Sequence, residues 1–214
     1  MRQIARRAAR HLSFAALFAG GSLVLYVALG GGSAAQRLTV ATAYTGLGFL
    51  AATLLVGPLN ERSGRPNPVS TSLRRDIGIW AAIGGILHTV VGLQVHMKGE
   101  IVRYFIPESG ARVLSRGAVA FLAANYTGLV ATLLLVLLLS ISNDVSLRTL
   151  GPVRWKSIQR LNYLLAALVV VHGALYLAIG KLSLILVAAF VLIVVYVSQI
   201  QMRGRLSRDR SDVG

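Results

Sequence analysis

Apolar residues along the chain form six long runs that are almost free of charge and lack the alternation of a β-strand. The runs cover roughly residues 12–30, 39–59, 76–98, 117–142, 158–179 and 182–202. Each run is long enough to cross a hydrocarbon core of about 30 Å as a helix rising about 1.5 Å per residue. The pattern predicts an all-α, polytopic membrane protein: a bundle of six transmembrane helices that forms a single domain over residues 1–214.

The composition agrees with this prediction and excludes several kinds of site chemistry. The chain is 55% hydrophobic and only 14% charged, with a mean hydropathy of +0.69. It has no cysteine, which excludes disulfides, thiolate chemistry and cysteine-ligated iron–sulfur clusters.

Basic residues are distributed unevenly between the two sets of loops. The net charge is +15, and sixteen of the 22 lysines and arginines fall in the set that includes both termini. The positive-inside rule therefore predicts that both termini are cytoplasmic. This distribution favours contact with anionic membrane lipid and argues against a nucleic-acid partner.

The N-terminal segment mimics a secretory signal. MRQIARRAARH, the apolar run and GGSAA follow the order of a signal peptide. The apolar run is as long as a full span, whereas signal sequences use about 7–15 apolar residues. We therefore expect a retained first helix.

Two histidines are predicted to lie at matching depth in spans 3 and 5. His88 is fourteen residues beyond Arg74, and His172 is twelve residues beyond Arg160. At about 1.5 Å per residue, both imidazoles lie about 18–21 Å from these inner arginines, somewhat past the midplane. Polar groups at that depth are costly and usually functional. We therefore predict that His88 and His172 form one site.

The residues available at this level restrict what the site can hold. A metal ion bound by side chains alone needs three or four ligands, and this level offers no Cys, Asp or Glu. A haem iron needs only two axial ligands, because the porphyrin supplies four nitrogens. The alternative is a pair of histidines that form hydrogen bonds between helices without a cofactor.

Glycines near His88 allow two interpretations. Gly84, His88 and Gly92 are spaced four residues apart and share one helix face, with Gly85 beside them. Small residues there would leave a flat notch for a macrocycle. They would equally allow neighbouring helices to pack closely.

The two other histidines lie nearer the membrane surfaces. His96 is eight residues beyond His88, about 12 Å along a helix axis, near the outside surface. It is either an interfacial residue or a contact for a propionate, an electron acceptor, a docking partner or a quinone headgroup. His11 lies among arginines and is interpreted as a surface flank.

Several blocks of sequence together resemble the ferric-reductase-like transmembrane domain family. They are LLVGPLN in span 2, RRDIGIWAAIGGILH in span 3 and WKSIQRLNYLLAALVVVHGALYL in span 5. The resemblance covers roughly residues 40–200. It is closest to the haem-binding subunits of periplasmic methionine-sulfoxide reductase systems.

This resemblance implies a b-type haem (haem b) with His88 and His172 as the axial metal ligands. It also implies a multi-pass protein of the bacterial inner membrane. Electrons would come from the quinone pool, with quinol as the donor, or from a flavin such as FMN on the inside. They would pass to an outside partner, which in the closest branch is a periplasmic molybdopterin methionine-sulfoxide reductase subunit.

The chain departs from the family pattern toward the inside. Two-haem members carry a second histidine thirteen or fourteen residues earlier on each ligand helix, where this chain has Gln159 and Arg74. Glutamine is a poor haem ligand, so we expect one haem. Arg74, Arg75 and Arg160 would either bind propionates, a flavin phosphate or lipid phosphate, or anchor the inner face.

The resulting hypothesis is an electron-transfer subunit of a reductase system, with no catalytic nucleophile or general base. A cofactor-free scaffold or small transporter is the alternative from another class. All seven acidic residues are predicted to lie at helix ends, in loops or in the tail, which disfavours proton-coupled transport. A stand-alone ferric-reductase-like cytochrome would need its flavin and NADPH domain on a separate polypeptide.

Overall fold

A computed structural model describes the backbone of residues 2–63, 67–96, 100–106, 115–180 and 183–211, and the side chains of 4–63, 72–96, 100–106, 115–180 and 183–203. These ranges contain helices and no strand. The helices are α1 (Arg2–Ala28), α2 (Ala34–Arg62), α3 (Asn67–Gly92), α4 (Ile101–Phe105), α5 (Arg116–Ser140), α6 (Asp144–Gln159), α7 (Leu161–Ile179) and α8 (Leu184–Ser211). The predicted all-α class is confirmed.

Within those ranges, five helical stretches are long and apolar enough to cross a membrane. They are Ile4–Ala28, Ala34–Arg62, Arg116–Ser140, Asp144–Ile179 and Leu184–Arg203. The third predicted span is not among them. Several apolar helices indicate a multi-pass membrane protein, while the count of six spans stays a prediction.

The bundle centre combines four helices around an aliphatic core. Its buried members come from α2, α3, α5 and α7: Leu50, Leu54, Ala81, Ala82, Ala131, Leu135, Leu138 and Leu165. Large apolar residues elsewhere on the helices are exposed, among them Leu133, Leu164 and Leu192. An apolar exterior around a packed apolar interior suits a helix bundle surrounded by lipid.

Pro58 does not end α2, contrary to the expectation that span 2 closes there. The helix continues through Pro58 to Arg62. Because proline has no N–H, the carbonyl of Leu54 loses its partner within the helix. Gln201 of α8 donates its Nε2–H to that oxygen at 2.6 Å. A side chain from a distant helix thus satisfies the backbone group that proline leaves unpaired.

The segment predicted as an inner loop, residues 143–157, is largely helical. It forms α6, which is kinked at Gly151, where φ is +72°. Glycine adopts that left-handed conformation at little cost. Trp155 of α6 is buried and donates its Nε1–H to the carbonyl of Ile141 at 2.9 Å.

The first half of α1 is tied to α3 by an ion network. Asp76 was expected at a helix end, but it lies within α3 and is fully buried. Arg7 donates to its Oδ1 at 3.2 Å, and Arg10 forms a second ion pair with it. His11 also lies within this network: its Nε2 is 3.5 Å from Asp76 Oδ1, and Trp80 donates its indole N–H to its Nδ1 at 3.2 Å. The interpretation of His11 as a surface flank was therefore wrong.

Candidate functional site

His88 of α3 and His172 of α7 lie side by side in the interior of the bundle. Their ring centres are 6.0 Å apart, and the ring planes are inclined at 82°. Both side chains are largely withdrawn from the surface. The structure thus brings together the two histidines that the spacing placed at one level.

Both imidazoles use the same nitrogen for the same kind of hydrogen bond. Nδ1 of His88 lies 3.0 Å from the carbonyl oxygen of Thr39, and Nδ1 of His172 lies 2.8 Å from that of Ala124. A carbonyl only accepts, so each Nδ1 carries the proton and donates. Each neutral ring then keeps its lone pair on Nε2. Histidines that bind a metal are typically oriented in this way by a partner on the other nitrogen.

The pair fits a group that supplies most of the metal's ligands itself. Two metal–nitrogen bonds of about 2 Å, with the two ring radii added, span about 6 Å between ring centres, close to the observed 6.0 Å. Within the described residues, no group of three or more His, Cys, Asp or Glu side chains comes together. The two imidazoles therefore suit a haem iron better than an ion bound by side chains alone.

Gly128 of α5 holds the ring of His172 in place, a contact that the sequence analysis missed. A β-carbon on Gly128 would lie 2.7 Å from both Cε1 and Nδ1 of His172. Ala124, whose carbonyl binds the same ring, is one turn earlier on that helix. The four-residue spacing between Ala124 and Gly128 is visible in the sequence, but no histidine on α5 drew attention to it.

Atoms of neighbouring helices lie against the glycines around His88. A β-carbon on Gly84 would lie 2.6 Å from Cε2 of Phe18, and one on Gly85 would overlap the end of Leu135. Gly92 faces Thr39. These contacts support close helix packing, the alternative interpretation of the three glycines, and they do not leave a notch beside His88.

His96 does not lie on an extension of α3. Helix α3 ends at Gly92, and residues 93–95 form a turn, so the predicted continuation to residue 98 was wrong. The turn places the exposed His96 ring in a stack on Tyr176, with ring centres 6.1 Å apart. The expected separation along one helix axis therefore does not apply.

Tyr176 and Asn125 form a second group that the sequence analysis did not identify. Tyr176 is one turn beyond His172, and their ring centres are 5.0 Å apart. Its hydroxyl donates to Oδ1 of Asn125 at 2.7 Å, and Asn125 donates from Nδ2 to the carbonyl of Tyr104. The four-residue spacing of His172 and Tyr176 was a usable signal.

The inner polar residues stay a predicted anion site or inner-face anchor, and one of them is paired with an acidic side chain. Arg75 is engaged by Asp144, with 2.6 Å between Nη1 and Oδ1. This hydrogen bond holds the pKa of Asp144 below its usual value. Gln159 and Arg160 lie at the junction of α6 and α7, and no contact among the described side chains joins them to Arg74 or Arg75.

The fold and the site define a class: a multi-pass, all-α membrane protein with two adjacent imidazoles, each directing its Nδ1 to a backbone carbonyl. Among proteins of known name, the chain is similar to the protein-methionine-sulfoxide reductase heme-binding subunit MsrQ of Salmonella paratyphi B and of Salmonella newport. It is 30% identical to each over 131 residues.

The similar region covers 61% of this chain and 59% of each relative. The chain thus spans less than two thirds of the length of the relatives it matches. No family model matches the chain, and no solved structure matches it.

Proposed function

We propose that this protein is an electron-transfer subunit of the bacterial inner membrane that holds one b-type haem between His88 and His172. Six spans with both termini in the cytoplasm would place the pair nearer the outside. The observation that carries the proposal is the paired imidazoles, 6.0 Å apart, each with its Nδ1 directed to a backbone carbonyl. Similarity to proteins named as heme-binding subunits supports it.

The chain contributes position and environment to this function. His88 and His172 would bind the iron through Nε2, while the carbonyls of Thr39 and Ala124 fix the orientation of the rings. The haem supplies one-electron redox chemistry when it is bound. The surrounding apolar side chains set the polarity around the site, which is one of the determinants of its reduction potential.

The packing of the inner half of the bundle favours one bound haem per chain over two. Below the histidine pair, the centre is occupied by the aliphatic core, including Ala81, Leu138 and Leu165. Gln159 stands where two-haem members of the resembled family carry a histidine. Packed side chains and the missing ligand both disfavour a second macrocycle at that level.

Donor and acceptor follow from the proposed topology. Quinol within the bilayer, or an inside flavin such as FMN, would supply electrons. An outside acceptor such as a periplasmic molybdopterin methionine-sulfoxide reductase would receive them. Among the described residues, His88 and His172 would be the ones that bind the haem iron.

The test is the haem content of the full chain purified from haem-replete cells. We expect a reduced-minus-oxidised spectrum of a low-spin b-type haem and a pyridine haemochrome assay that gives one haem per chain. A colourless preparation would refute the proposal and favour a cofactor-free scaffold. Two haems per chain would refute the account of the inner half.

A further inference from the structure

We propose that Tyr176 and His96 form the route by which electrons leave the histidine pair for the outside acceptor. This inference rests on the proposed function. It assigns to the two side chains a role in electron exit, distinct from binding the iron.

Three rings connect the interior of the bundle with its surface. The ring centres of His172 and Tyr176 are 5.0 Å apart. Tyr176 stacks on His96 at 6.1 Å with an angle of 22° between the planes. His96 is exposed, so the series runs from a half-buried candidate ligand to a side chain that a soluble partner can touch.

A network of hydrogen bonds links Tyr176 with the backbone of His96. Asn125, which is only 7% exposed, accepts from the Tyr176 hydroxyl and donates to the Tyr104 carbonyl. The Tyr104 hydroxyl in turn accepts the backbone N–H of His96 at 3.0 Å. Buried polar groups that are fully satisfied hold a single arrangement. The Tyr176 hydroxyl and the His96 backbone are thus tied to the same network.

Phe121 adds a second contact on the same side. Its ring centre lies 5.5 Å from that of His96 and 6.2 Å from that of Tyr176. Toward the inside, the ring centre of Phe18 also lies 6.1 Å from that of Phe49 and 6.2 Å from that of Trp80, but no ring contact among the described residues joins them to His88 or His172. Electron tunnelling weakens steeply as the gap between π systems widens. A series of rings that begins at His172 and continues to His96 therefore favours exit in that direction.

The step that the route serves is a single electron transfer. One electron leaves ferrous haem, which becomes ferric, and reduces a one-electron acceptor outside. No proton needs to move and no bond is made or broken. Tyr176 and His96 shorten the gap, and neither binds the iron.

The experiment follows reoxidation of the haem-loaded full chain in lipid nanodiscs. Reduced protein is mixed with ferricyanide, a soluble anionic one-electron oxidant, and the haem absorbance is followed by stopped flow. The variants are Tyr176→Leu, His96→Ala and Tyr176→Phe. Tyr126→Leu is the matched control, since Tyr126 is an outside tyrosine whose hydroxyl also donates one hydrogen bond, in this case to the carbonyl of Phe105. The absorption spectrum and the reduction potential are measured for each variant.

We expect slower reoxidation in Tyr176→Leu and His96→Ala with the spectrum and potential unchanged. Tyr176→Phe, which keeps the ring, and Tyr126→Leu should remain close to the wild-type rate. Wild-type rates in both of the first two variants would overturn the route, as would a shift in potential large enough to explain the slowing. If Tyr176→Leu no longer binds haem, the reoxidation rate of His96→Ala alone decides the test, because His96 lies outside the helices. An absence of haem from the wild-type protein would instead refute the proposed function, and the route with it.

Discussion

Gly128→Ala would place a methyl group against the ring of His172. The added carbon would lie 2.7 Å from Cε1 and Nδ1 of that ring, whereas non-bonded carbons settle at about 3.5–4.0 Å. The ring must therefore move by about 1 Å. A shift of that size would stretch the 2.8 Å bond to the Ala124 carbonyl past the range of a good hydrogen bond. Overpacking of this kind costs about 1–3 kcal/mol, and the lost bond adds about 1 kcal/mol.

The assay combines thermal unfolding in detergent with the absorption and electron paramagnetic resonance spectra of the haem-loaded protein. We expect a lower midpoint together with a weakened or altered low-spin signal. Gly117→Ala on the same helix is the matched control, because a β-carbon there would meet nothing within 4 Å. In that variant the higher helix propensity of alanine should leave stability equal or slightly raised. A Gly128→Ala protein with wild-type spectra and midpoint would refute the assigned role of this contact.

Three further predictions concern packing and charge. Gly85→Ala should lower the thermal midpoint, because its β-carbon would overlap the end of Leu135, and a loss of about 1–3 kcal/mol is expected; an unchanged midpoint would contradict it. Asp76→Asn should lower the free energy of unfolding by about 1–3 kcal/mol, because it removes the buried carboxylate that pairs with the arginines of α1. An unchanged free energy of unfolding would contradict that network. Arg75 lowers the pKa of Asp144, so their ion pair stabilises the folded state fully at a pH above the unfolded-state pKa of about 3.9. That stabilisation is lost as the pH falls through the lower folded-state pKa. The midpoint difference between wild type and Asp144→Asn should vanish at low pH, and a difference that persists there would argue against the pair.

The sequence predicts the fold class well because the signals for membrane helices are local. An apolar run of about twenty residues has few other uses, so the helices were foreseen while several of their ends were not. The continuation of α2 through Pro58 depends on Gln201, which lies 147 positions away from the Leu54 carbonyl that it binds. Helix α6 was not predicted, because its composition is polar and it contains Gly151.

The candidate site was partly visible for the same physical reason. An imidazole deep in an apolar run is rare, and two at one depth indicate a shared site. Spacing along one helix could not decide which neighbour fills each glycine, because that depends on Phe18 and Leu135 from other helices. Nor could it show that the chain turns after Gly92 and brings His96 onto Tyr176.

The most direct test of the account is the haem spectrum of the two histidine variants. We expect His88→Ala and His172→Ala each to abolish the low-spin b-type absorbance, while Asp144→Asn, which alters the ion pairs of an exposed carboxylate with Arg7 and Arg75, keeps it. In the wild-type protein, the 82° angle between the ring planes predicts the strongly anisotropic low-spin resonance of nearly perpendicular axial imidazoles. A full low-spin spectrum in either alanine variant would contradict the assignment of His88 and His172 as the ligands.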